Sequence, residues 1–150
     1  MIALLAKTAA VLGAWEAAWW ARRQARRTSV YGSAFHRAHE LGRPLVVIGA
    51  PDGGVTTGYG CGNVTVDLAG SAVCPNVLAI DITDTAMPFA DNSCVVFVSC
   101  VLEYVSDPEP ALAEIQRISG GQAFFVGVEP WTLTAYLYPG AKRTLPSHLR

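Results

Sequence analysis

Charge is scarce in this sequence: Asp, Glu, Lys and Arg make up 15% of its 150 residues, while hydrophobic types make up 51%. An average soluble domain is about a quarter charged, so much of this chain must be buried, in a core or against a neighbour. The length suits one domain of ordinary size. No two cysteines are spaced as CxxC, although Cys61, Cys74, Cys94 and Cys100 are present. Without paired metal-ligand spacings a zinc site is disfavoured. The four read as reduced thiols, Cys94 and Cys100 as small hydrophobes in or beside a core strand. His36 and His39 stand three apart with no third ligand in view, so no metal residue is assigned. Acidic residues are nearly missing from the first third. Residues 1–43 hold seven Lys/Arg and two Glu, against four Lys/Arg and ten Asp/Glu in residues 44–150. An acidic body repels phosphate, and the basic cluster is short and adjoins an apolar run, so nucleic acid is disfavoured as a partner.

What the first third has is an apolar arm, MIALLAKTAAVLGAWEAAWWARRQARR, residues 1–27. Roughly 20 apolar residues suffice to span a bilayer. Trp15, Trp19 and Trp20 precede Arg22, Arg23, Arg26 and Arg27 as an interfacial belt would. The positive charge follows the apolar run, so a cleaved signal peptide fits poorly. The expectation is a membrane anchor, or a helix held by membrane lipid or other protein chains. By the positive-inside rule a spanning helix puts the domain on the cytoplasmic side. Lys7 and Glu16 fall on opposite sides of the helix and count against both a clean span and a clean amphipathic face. Ser33 reads as the cap of a short helix ending at Leu41, with Gly42 and Pro44 as terminators, so residues 28–43 form a linker helix before a domain at 44–150.

In that domain apolar runs alternate with connections. Strands are expected at 45–48, 64–68, 77–80, 94–99 and 123–128. Their continuous apolar character suits parallel strands buried on both faces. Ser106 or Asp107 caps a helix with Pro108 in its first position, Leu112, Ile115 and Ile118 on one face and Gly120-Gly121 at its end. This predicts an α/β fold, a doubly wound parallel sheet of about five strands preceded by an N-terminal apolar helix.

Several short motifs within that pattern carry a family resemblance. Met87-Pro88-Phe89, Asp91-Asn92-Ser93, Val101-Leu102-Glu103-Tyr104-Val105 and the helix from Asp107 stand in an order and spacing that resemble class I S-adenosylmethionine-dependent methyltransferases of the type 11 pattern. The resemblance is strong over Asp81–Ser119 and weaker back to Pro44. It implies a Rossmann-like core and S-adenosylmethionine as cofactor. It places a ribose-binding carboxylate at Asp67, an adenine-edge contact at Asp84 or Asp81, and substrate-facing residues near Glu103 and Tyr104, neither of which is given a catalytic role. Aspartates at strand ends also commonly cap loops.

The resemblance breaks at the first glycine loop. Where the family has an acidic residue and a D/E-x-G-x-G-x-G turn, this chain has Gly49-Ala50-Pro51-Asp52-Gly53-Gly54. Pro51 removes an N–H and fixes φ. Five glycines between Gly53 and Gly62 make poor helix material, so the crossover is expected to be a loop. Gly49, Gly53 and Gly54 are the candidate cofactor contacts there. The family's C-terminal hairpin is also missing. Trp131, Leu133, Tyr136, Leu137 and Tyr138 are expected either to cover the fifth strand or to meet a protein partner. The glycine loop reads as the remnant of a cradle, so the expected function is a degenerate, membrane-anchored or assembly-bound methyltransferase-like module that holds S-adenosylmethionine weakly or not at all, with an active enzyme bearing an atypical loop as the alternative.

Overall fold

The computed structural model describes residues 2–49, 51 and 57–127. Five strands, β1 (Leu45–Ile48), β2 (Val64–Asp67), β3 (Val77–Ala79), β4 (Val95–Ser99) and β5 (Ala123–Val126), form one sheet in the order β3-β2-β1-β4-β5. Every pairing is parallel. Helix α1 (Ile2–Leu41) precedes the sheet, and α2 (Glu109–Ser119) joins β4 to β5. The expected α/β class and five-strand parallel sheet are both present.

Successive side chains of a strand point to opposite faces, and both faces are covered. Val46, Ile48, Val66, Val96 and Val98 face α2, where Ala111, Ile115 and Ile118 are buried against them. Leu45, Val47, Val95 and Phe97 face the other way, onto Ala34 and Ala38 of α1 and Tyr59 of the β1–β2 connection. This double burial explains the unbroken apolar strands. Helix α2 starts one residue later than its cap signals suggest. Pro108 holds the N-cap position without a side-chain cap, although the Asp107 carboxylate accepts the Glu109 N–H at 3.2 Å. At its other end Gly120 adopts the left-handed conformation and returns its N–H to Gln116.

Helix α1 differs from the expectation of two helices. It runs unbroken through residues 28–33, and Ser33 donates its hydroxyl back to the Ser29 carbonyl at 3.1 Å instead of capping a new helix. No proline interrupts the stretch, and packing of Tyr31 and Ala34 on the sheet supports the continuous form. Two contacts fix its direction. Arg37 Nε donates to Gln122 Oε1 just before β5, and Arg27 Nη2 donates to Cys100 Sγ just after β4. The helix therefore runs antiparallel to the strands, and its N-terminal half extends past their carboxyl ends. Among the described residues, no helix is long and apolar enough to cross a membrane. The spanning anchor, and the cytoplasmic orientation inferred from it, have no support there.

The cysteines also depart from expectation. Cys61 and Cys74 are joined in a disulfide with Cα atoms 5.5 Å apart, while Cys94 and Cys100 are free. Sequence separation said nothing of this pairing; the sheet makes it, by bringing the β1–β2 and β2–β3 connections side by side. The aromatic segment around Trp131–Tyr138 lies outside the described residues.

Candidate functional site

In an open parallel sheet, ligands sit outside the carboxyl ends of the strands, where the strand order reverses. Here the reversal falls between β1 and β4. A crevice of about 640 Å³ opens beside that point, walled by Asp67 and Leu68 at the end of β2, Asp81, Thr83 and Asp84 after β3, and Cys100, Tyr104, Asp107 and their neighbours after β4. A smaller recess of about 100 Å³, lined by Ile48, Gly49, Val66 and Ile80, continues beneath it toward the sheet.

Asp67 is half-buried, and its Oδ1 accepts the Ala69 N–H at 3.0 Å. Asp81 Oδ1 accepts both the Thr83 hydroxyl at 2.6 Å and the Thr83 N–H at 2.9 Å. Those two bonds hold its carboxyl below the usual carboxylate range. Asp84 is exposed at the rim, its N–H given to the Asp81 carbonyl at 3.3 Å. With Asp107, four aspartates line the crevice, and no Lys or Arg is among its described lining residues. Tyr104, Val105 and Pro110 supply an apolar wall.

Of the residues singled out from sequence, the fold brings Asp67 and Asp84 to one crevice and sets Gly49 beneath it. Gly53 and Gly54 lie outside the described residues. Gly49 has φ +101°, and a Cβ there would meet the Ser99 carbonyl oxygen at 2.8 Å and Val101 Cγ2 at 2.9 Å. It is a glycine because β4's end presses on it, a reason independent of any ligand. Glu103 is fully buried and Tyr104 is exposed at the crevice mouth.

The crossover from β1 to β2 is irregular over residues 57–63, as the glycines suggested. Gly58 and Gly60 abut the neighbouring helix, and Gly62 abuts β1. Gly58 has φ +76°; a Cβ on it would strike Gln24 and Thr28 of α1, and Thr28 Oγ1 donates to its carbonyl at 2.9 Å. Tyr59 inserts between α1 and the sheet, 5.1 Å from the Phe97 ring centroid, which Tyr31 approaches edge-on at 5.4 Å. Thus α1 and Tyr59 cover the sheet face beside this connection.

Sequence reasoning missed two members of the site region. Cys100, read as a core hydrophobe, is a crevice-wall residue with φ +52°. Burial pushes its thiol up, with the Arg27 guanidinium at 2.8 Å pulling the other way. Arg27, read with the basic cluster of the arm, packs on the body instead. No local signal marks either; the pairing spans 73 residues.

The motif that carried the resemblance has a structural explanation. Arg117 of α2 donates to the carbonyls of Met87 and Phe89 at 3.1 and 2.9 Å and to Asp91 Oδ1 at 2.6 Å. Glu114 accepts the Met87 N–H at 2.7 Å and two further bonds from Arg117. The Met87-Pro88-Phe89 turn is thereby clamped to α2.

Residues 70–125 match the family described as a methyltransferase domain. This match and the five-stranded parallel sheet fit a class I S-adenosylmethionine-dependent methyltransferase-like domain. No curated protein and no solved structure matches the chain.

Proposed function

We propose that the crevice binds the adenosyl end of S-adenosylmethionine or its demethylated product, and that the domain acts as a binding and interaction module and not as a catalyst. The observation that carries the binding half is the lining: four aspartates, and no Lys or Arg among the described lining residues, around a space of about 640 Å³. Carboxylates accept from ribose hydroxyls and from an amino group, and they attract a sulfonium, whereas they repel a phosphate. The site thus fits a nucleoside carrying positive charge and disfavours nucleoside diphosphates and dinucleotides. Asp67, at the end of β2, would hold the ribose; Asp81 and Asp84 stand where an adenine edge would be read. The bound cofactor would supply an electrophilic methyl group, and the protein would have only to align an acceptor with it.

The module half rests on the connection after β1. Its described residues form a loop fastened to α1 through Thr28 and Gly58, with no helix N-terminus to meet the methionine end. Active transfer keeps one observation in its favour, the recess reaching down to Gly49.

Calorimetric titration of the full chain with S-adenosylmethionine, S-adenosylhomocysteine and ADP tests this. Micromolar binding of the first, about −8 kcal/mol, weaker binding of the second, none of ADP, and loss of the first two in Asp67→Ala are expected. ADP binding as tightly as S-adenosylmethionine would refute the electrostatic reading. Methyl incorporation into any acceptor would refute the module reading.

A further inference from the structure

Between Ala10 and Arg22, α1 leaves the body: every residue is exposed except Glu16 and Trp19, which are half-buried. Four of the eight exposed large hydrophobic residues among those described, Val11, Leu12, Trp15 and Trp20, fall in this stretch. Val11 and Trp15 among them share one face, and Trp20 lies off it. Val11, Trp15, Trp19 and Arg22 follow at steps of four, four and three residues, which stacks them on one face. The Trp15 and Trp19 rings lie 5.7 Å apart, and the Arg22 guanidinium sits 5.5 Å over the Trp19 ring. Ala10, Ala14, Ala17 and Ala21 occupy the reverse side and offer little apolar area.

We infer that this tryptophan–arginine stripe docks on an anionic lipid surface, with the helix lying in the interface plane and the sheet domain outside the bilayer. Three observations favour lipid over a protein groove. Large aromatic rings with a polar edge suit the headgroup layer, and here they are continued by guanidinium groups on the same face. Arg22, Arg23 and Arg26 stand against one glutamate in residues 10–26, a charge complementary to anionic lipid and opposite to that of the body. Among the described residues the helix is not apolar enough to span, and a helix with exposed tryptophans beside arginines suits the interface plane. This inference is independent of what the crevice binds.

Co-sedimentation of the full chain with vesicles tests it, using phosphatidylcholine alone and a mixture of two parts phosphatidylcholine to one part phosphatidylglycerol. Binding to the mixed vesicles is expected, with a blue shift of tryptophan emission and weakening by salt; neutral vesicles should bind about tenfold less. Trp15→Ala with Trp19→Ala should cut binding about tenfold, and Arg22→Glu with Arg23→Glu at least as much, about fivefold for each arginine lost. Unchanged circular dichroism and urea unfolding show that each variant is folded. The inference is overturned if the folded chain ignores both vesicle types, if it binds both equally and without salt dependence, or if the tryptophan variant binds as the parent does. Self-association that vesicles do not compete away would assign the stripe to a second copy and overturn it equally.

Discussion

At Gly49 the backbone turns out of β1 with φ +101° while the end of β4 closes on its Cα. Ala in that position must both take a left-handed conformation and push the Ser99 carbonyl aside. Gly49→Ala is expected to cost about 2–3 kcal/mol, read from the urea midpoint of the full chain. A neutral result would mean that the two strand ends are looser than the 2.8 Å approach implies. The Glu114 carboxylate is a second sensitive point. Bonds from Arg117, and then from the Met87 N–H, hold its pKa below the ordinary carboxylate range. A group depressed in the folded state stabilises it above the unfolded pKa and loses that contribution as pH falls through the folded value. Glu114→Gln should therefore flatten the loss of stability between neutral pH and about pH 3. Glu114→Ala should cost about 2 kcal/mol at neutral pH, because it leaves the Met87 N–H and Arg117 short of an acceptor.

Among the elements, α1 has two halves with different tasks. Residues from Gln24 to Leu41 cover one face of β1, β4 and β5 through Tyr31, Ala34 and Ala38, so the helix belongs to the fold and is not a detachable leader. Removing residues 1–21 should leave cooperative unfolding within about 1 kcal/mol of the parent. Removing residues 1–41 should uncover Val47, Val95 and Phe97 and abolish it, as followed by near-ultraviolet dichroism. The disulfide is the other device at this scale. It ties the irregular connection after β1 to the one after β2 across a separation of 13 residues. Reduction, or Cys61→Ser with Cys74→Ser, should lower stability by about 3 kcal/mol. Equal urea midpoints with and without reductant would contradict that role. Strands and α2 were legible in the sequence because their signals are local: unbroken β-branched runs, a proline at a helix start, a glycine at its end. The continuity of α1, the disulfide and the Arg27–Cys100 contact were not, since each is decided by groups that only the folded sheet brings together. Ser33 misled because a serine caps a helix or bonds back within one equally well.

Over the whole molecule, the methyltransferase match and the crevice divide unevenly along the chain. The matched residues begin at Gly70, after every glycine of the first loop and after Asp67. The part that resembles the family most, from the Met87 turn through α2, is held together by Glu114 and Arg117 and explains itself as architecture. The part that would cradle the methionine end of a cofactor precedes the matched residues, and there Gly58 and Gly60 pack on α1. Asp67 and Asp84 were legible as crevice residues because strand ends of this topology converge on one place. Cys100 and Thr83 were not, because their place depends on how the loops fold over it. The acidic character of that crevice is the central claim, and amide chemical shifts measured on the ¹⁵N-labelled full chain during titration with S-adenosylmethionine test it most directly. Saturable shifts clustered at Asp67, Leu68, Asp81, Asp84 and Tyr104 are expected, absent in Asp67→Ala. Shifts elsewhere, or none at millimolar ligand, would contradict it.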